Sequence, residues 1–136
     1  MATKTLTNQE LVDLVNGLHK VKDLKGVKFA LVVAKNIEML QKELEHIDKA
    51  SKPSEEFMKI SEKVQGYLKD GKEDEAKKLE EENQELVDER KVQITEVQEL
   101  LKEEATVQIY TLFSNQLPGD ITADQVMSIN KIIIDN

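Results

Sequence analysis

The sequence predicts an all-α protein: a long, kinked antiparallel helical hairpin of coiled-coil type, on a small helical base formed by both terminal segments. Three observations predict it. Ala30, Val33, Ile37, Leu40, Leu44 and Ile47 are spaced alternately by threes and fours, a heptad seam that draws one narrow apolar line along a helix. A second apolar series, Val87, Ile94, Val97 and Leu101, lies downstream. Asp70-Gly71, between them, is the clearest turn signal in the chain. A seam needs a facing helix, and a hairpin with its tip at 70–71 supplies one. The expected organisation is a single domain, 1–136, with the base in 1–34 and 105–136 and the arm in 35–104.

The first helix begins at a capping box, Thr7 with Glu10, and Leu6 is placed to staple onto Leu11. Leu11, Leu14, Val15 and Leu18 form its apolar face, and Lys22 to Gly26 reads as a turn. The second helix runs from about Val27 to Ala50. Phe29 to Ala34 is apolar on every side, which predicts burial on every side. Pro53 interrupts the arm, because proline disfavours helical geometry before it and lacks an N–H. Ser54 then caps a third helix, in which Phe57, Ile60, Val64 and Tyr67 keep the spacing.

The return helix is expected from about Glu73 to Glu104, roughly 48 Å long at 1.5 Å per residue. Its seam shifts register partway, and Asn83 and Arg90 fall at or near seam positions, where polar groups specify register at a cost in stability. Val107, Ile109 and Tyr110, with Thr106 and Thr111, favour extended backbone over Ala105 to Phe113. Such a strand either pairs with another chain or crosses the base as an extended connection. Leu117 to Asp120 is a turn, and Thr122 with Gln125 opens a last helix carrying Val126, Met127, Ile129, Ile132 and Ile133.

Composition narrows the function classes. The chain has 136 residues, 34% of them charged and only 4% aromatic, so its core is thin layers of Leu, Ile and Val. The absence of cysteine removes disulfides, thiol catalysis and cysteine-held metals. The longest apolar run, Phe29 to Ala34, falls far short of the roughly 20 residues that span a bilayer. The N-terminus lacks a signal-peptide layout. A cytoplasmic protein is expected. The net charge of -8 is uneven: residues 1–50 carry +1, 51–110 carry -7 and 111–136 carry -2. An acidic chain with one arginine is a poor nucleic-acid ligand and is repelled by anionic membranes.

Several constellations have both a chemical and a plainer reading. Lys28, Lys35, Lys42 and Lys49 are spaced by seven and fall opposite the seam. They form either a basic ridge or the ordinary solvated side of a coiled coil, and the latter is the simpler account. The acids Glu73 to Glu75 and Glu80 to Glu82 lack the layout of a calcium loop and suit the positive end of a helix dipole. His19 and His46 are the only histidines and have no helical partner four residues on. Glu43 with His46 supplies one Glu-x-x-His spacing of the kind used in di-iron bundles, but a second is missing. No phosphate loop, dinucleotide fingerprint or nucleophile elbow is present. We therefore expect no catalytic, metal or cofactor-binding residues and no small-molecule substrate.

The order of parts also carries a resemblance. "TNQELVDLVNGL" leads into "VKFALVVAKNIEML", an acidic return helix precedes "ATVQIYTL", and "LPGDITADQVMSI" follows near the end. Over some 130 residues this layout resembles small helical proteins of unknown function encoded in tailed-phage genomes. The resemblance implies a phage protein of the host cytoplasm or the virion and carries over no site residues.

The function expected is a non-enzymatic protein–protein interaction role, with the chain itself as partner, as an accessory assembly or structural component. Phe57, Met58, Tyr67, Val107, Ile109 and Tyr110 are the candidate contact residues. Core packing is an equally good account of each one alone. The alternative is an acidic host-directed inhibitor that imitates nucleic acid. A metal-dependent enzyme using Glu43 and His46 is the third reading.

Overall fold

The computed structural model describes residues 1–135. It is mostly helical, with two small two-stranded sheets. The described residues divide into two compact units, one made of residues 1–46 and the chain from 100 onward, the other of residues 47–99. The divisions between these units fall at 46/47 and 99/100. The reason is packing: Asn36, Leu40 and Leu44 are all buried, and Asn36 bonds to Tyr110 of the same unit.

In the first unit, β1 (Ala2–Thr7) runs antiparallel to β2 (Glu104–Ile109), with Ala2 opposite Ile109 and Thr7 opposite Glu104. The extended segment expected at 105–113 is therefore partnered inside the chain. Its partner is the N-terminal hexapeptide, whose Thr3 and Thr5 favour a strand but whose only buried residue is Leu6. A second pair, β3 (Leu112–Phe113) with β4 (Ile133–Ile134), is parallel. The all-α expectation is corrected to this extent.

Helix α1 (Asn8–Val21) starts at the predicted capping box: Thr7 Oγ1 accepts from Glu10 N at 3.1 Å, and Glu10 Oε1 accepts from Thr7 N at 3.0 Å. Leu6 and Leu11 are both buried, as a staple requires. Leu11, Leu14 and Leu18 form the centre of the core with Ile109, Leu112, Ile129 and Ile132. Each such side chain contributes roughly 1.5–3 kcal/mol by leaving water. The short helix α7 (Ala123–Ser128) packs on α1. The chain then enters a 3₁₀ turn at Asn130–Ile132 and β4, where the sequence suggested one continuous last helix.

Glu10 also accepts from Lys131 Nζ at 3.2 Å. The Thr7 backbone N–H, and after it Lys131, hold the Glu10 carboxyl below the usual glutamate range. A carboxyl whose folded pKa is depressed adds stability above its unfolded pKa, and that contribution is lost as pH falls through the folded value. An NMR titration is expected to show Glu10 ionising below ordinary glutamates, with Lys131→Ala moving it only part of the way back because the Thr7 N–H remains. A midpoint unmoved from the ordinary range would remove this account.

Helix α2 (Val27–Glu43) follows the turn at Gly26, whose φ of +132° suits glycine. The predicted helix to Ala50 breaks at Leu44 and resumes as α3 (Glu45–Ser51).

In the second unit, α4 (Glu55–Lys69) is capped by Ser54 Oγ, which accepts from Phe57 N at 3.1 Å. Residues 52–54 around Pro53 are non-helical, as expected. Asp70-Gly71 turns the chain, with Gly71 at φ +72°. Helix α5 (Glu73–Glu82) packs on α4, and Val64 and Ala76 are buried. The return helix is not continuous: it breaks at Asn83, whose Nδ2 bonds back to the Leu79 carbonyl at 2.9 Å, and continues as α6 (Gln84–Lys102). Side chains that bond their own preceding turn compete with the helical ladder in this way.

Candidate protein interaction surface

Helix α2 buries Phe29, Val32, Val33, Asn36 and Leu40. These positions follow the i, i+3, i+4, i+7 rule and define one stripe. The opposite side is uncovered. Val27 is 81% and Leu31 53% exposed, and Ala30 and Ala34 also face solvent. The expectation that Phe29 to Ala34 is buried all round is thereby corrected: only one face of the helix meets the core. The uncovered side of α2 therefore carries apolar side chains in water.

Lysines outnumber carboxylates around this face. Leu31 has Lys28 and Lys35 one turn to either side, and Lys42 continues the row beyond exposed Glu38, which lies one turn from both Lys35 and Lys42 and blunts it. No carboxylate pairs with these three lysines among the described residues. Lys35 Nζ lies 5.1 Å from the centroid of the Tyr110 ring, within cation–π range. A cleft of about 490 Å³ also runs along α2, and its lining includes Val33, Ala34 and Ile37, the polar His19 and Gln41, and both Lys22 and the carboxylates Glu38 and Glu45. Gln41 Nε2 and His19 Nε2 are 3.0 Å apart, so His19 is tied to a neutral amide.

The residues expected to make contacts are distributed as follows. Val107 and Ile109 are buried in the core of the single chain, 5% and 0% exposed. Their alternation with exposed Thr106 and Gln108 is that of a half-buried strand. Tyr110 is half-buried under Lys35. Phe57 is half-buried and lines a cleft of about 320 Å³ with Leu86, Arg90 and Gln93. Met58 is exposed and Tyr67 half-buried on α4. Phe57, Met58 and Tyr67 lie in the second unit, and Val107, Ile109 and Tyr110 in the first.

Helix α6 presents a different surface. It is 19 residues long and none of its side chains is buried. Arg90 Nη1 donates to the Ser51 carbonyl at 2.8 Å, and Gln93 Nε2 donates to the Ala50 and Lys52 carbonyls at 2.7 Å each. These bonds satisfy carbonyls left free where α3 ends. Val92, 57% exposed, has Asp88, Glu89 and Glu96 one turn away, and a shallow depression there is lined by Glu85, Asp88, Glu89 and Val92.

Sequence reasoning missed Asn36. It is fully buried, its Nδ2 donates to the Tyr110 carbonyl at 2.9 Å, and its Oδ1 accepts from the Tyr110 N–H at 2.8 Å. A polar residue at the centre of the 29-32-33-36-40 stripe was the available signal. Among the described residues no group of three or more His, Asp or Glu converges on a metal-binding position, and no buried side-chain polar atom lacks a partner. His46 and Glu43 are exposed. No described helix is long and apolar enough to cross a membrane. Comparison with protein-family models, with curated proteins and with solved structures finds no match.

Proposed function

We propose that this chain is a non-enzymatic interaction protein that self-associates. The observation that carries the reading is α6: an amphipathic helix draws most of its stability from burying a face, yet in the single chain the stripe from Leu86 to Leu101 is only half-buried and Val92 and Ile94 stay exposed. A second copy covering Val92 and Ile94 adds burial that the single chain does not provide. We further read residues 47–99 as a kinked antiparallel hairpin of coiled-coil type. Its support is the buried pair Val64 and Ala76 on α4 and α5, either side of Gly71, and the reach of Arg90 and Gln93 to the carbonyls of 50–52. The resemblance in layout suggests an accessory assembly or structural component of a tailed phage.

Size exclusion with light scattering tests the reading. The expected mass at low salt is at least twice the 15.5 kDa of one chain. A monomer at every concentration would overturn self-association.

A second reading has one observation in its favour. Residues 47–99 carry a net charge of -6, enough for an acidic surface to compete with nucleic acid for a basic cleft. If the chain acts this way, it displaces DNA from a basic host protein at low salt and loses that effect at high salt. No displacement at low salt would remove this reading.

A further inference from the structure

The exposed face of α2 and the exposed face of α6 are opposites in charge and alike in having an uncovered aliphatic centre. On α2 the centre is Leu31 with Val27, and the neighbours one turn away are Lys28 and Lys35. On α6 the centre is Val92, and the neighbours one turn away are Asp88, Glu89 and Glu96. The stretch 20–42 holds six lysines against Asp23 and Glu38, inside a chain of net charge -8. We propose that the outward face of α2 docks on the outward face of α6 in a second copy, so that the protein associates head to tail. This inference rests on the self-association reading and names the two faces that meet.

Charge decides against the symmetric alternatives. Pairing α6 with α6 through Val92 brings the acids of both copies together. Pairing α2 with α2 antiparallel sets the two lysine rows side by side. Like charges in close apposition disfavour both, whereas α2 against α6 neutralises both faces and covers Leu31 and Val92 at once. Such a contact is heterologous: it grows into a ring if the rotation closes and into a filament if it does not. Being bounded by exposed charges, it weakens with salt.

Two full-length variants test it, each altering exposed positions only. One carries Lys28→Gln with Leu31→Gln, the other Glu89→Gln with Val92→Gln. Circular dichroism confirms that each keeps its helical content, and light scattering at low salt gives the masses. The wild type is expected above 15.5 kDa, falling toward one chain mass as salt is added. Each variant alone is expected at one chain mass. Mixed in equal amounts they recover a species of twice that mass, since one retains its α6 face and the other its α2 face. A wild-type monomer would overturn self-association itself. A multimeric wild type with either folded variant still multimeric, or with a mixture that stays monomeric, would overturn the head-to-tail contact alone.

Discussion

Asn36→Ala is expected to destabilise the protein by about 3 kcal/mol, or on the order of 10 °C in Tm for a chain of this size. Tyr110 follows the last paired residue of β2, Ile109, and precedes β3. Its backbone N–H and C=O are therefore beyond the ladder, and the Asn36 amide takes both, as a neighbouring strand would. Truncation leaves both groups without a partner, at roughly 1–3 kcal/mol each where water does not reach. Asn36→Asp separates the two bonds. The carboxylate still accepts from the Tyr110 N–H but meets the Tyr110 carbonyl with an acceptor instead of a donor, at a fully buried position. Urea unfolding of both variants checks this. A loss below about 1 kcal/mol for Asn36→Ala would mean that the amide only occupies space.

Gly17→Ala and Gly66→Ala are expected to change stability in opposite directions. Glycine inside a helix costs up to about 1 kcal/mol relative to alanine, so the substitution ordinarily stabilises. At Gly66, on α4, an added Cβ meets nothing within 4 Å, and a gain of about 0.5–1 kcal/mol is expected. At Gly17, on α1, the Cβ would lie 2.9 Å from both the carbonyl carbon and the Cβ of Ser128, and closer still to the Ser128 carbonyl oxygen. That backbone is the end of α7, and the next residue, Ile129, is fully buried. The clash is rigid, so α7 must move away from α1. Overpacking of this kind costs roughly 1–3 kcal/mol or more, which exceeds the propensity gain. A net loss of about 2 kcal/mol is expected, read as a lower urea midpoint. A midpoint equal to or above wild type for Gly17→Ala would show that α7 yields without cost.

The elements that were legible in the sequence are those whose signal is local. Thr7 with Glu10, Ser54, Thr122 with Gln125, Pro53 and Asp70-Gly71 act where the sequence places them, because a cap or a turn is decided by atoms within four residues. The candidate contact residues were less legible. Whether an apolar side chain such as Val107 or Leu31 is core or surface depends on what the rest of the chain brings over it. Periodicity narrows the choice to a face of the element and leaves open which face is covered.

By itself, then, the sequence determined a mostly helical chain, its helix starts, its turn at 70–71 and its uneven charge. Only the tertiary structure decided that residues 2–7 and 104–109 form a sheet, since a strand is defined by its partner and these two lie about a hundred residues apart. The same holds for α2. Its apolar residues nearly encircle the start of the helix, but α1 and the segment around Tyr110 cover only one side. Burial is a property of what packs against a residue, and Val27 and Leu31 are left more than half exposed.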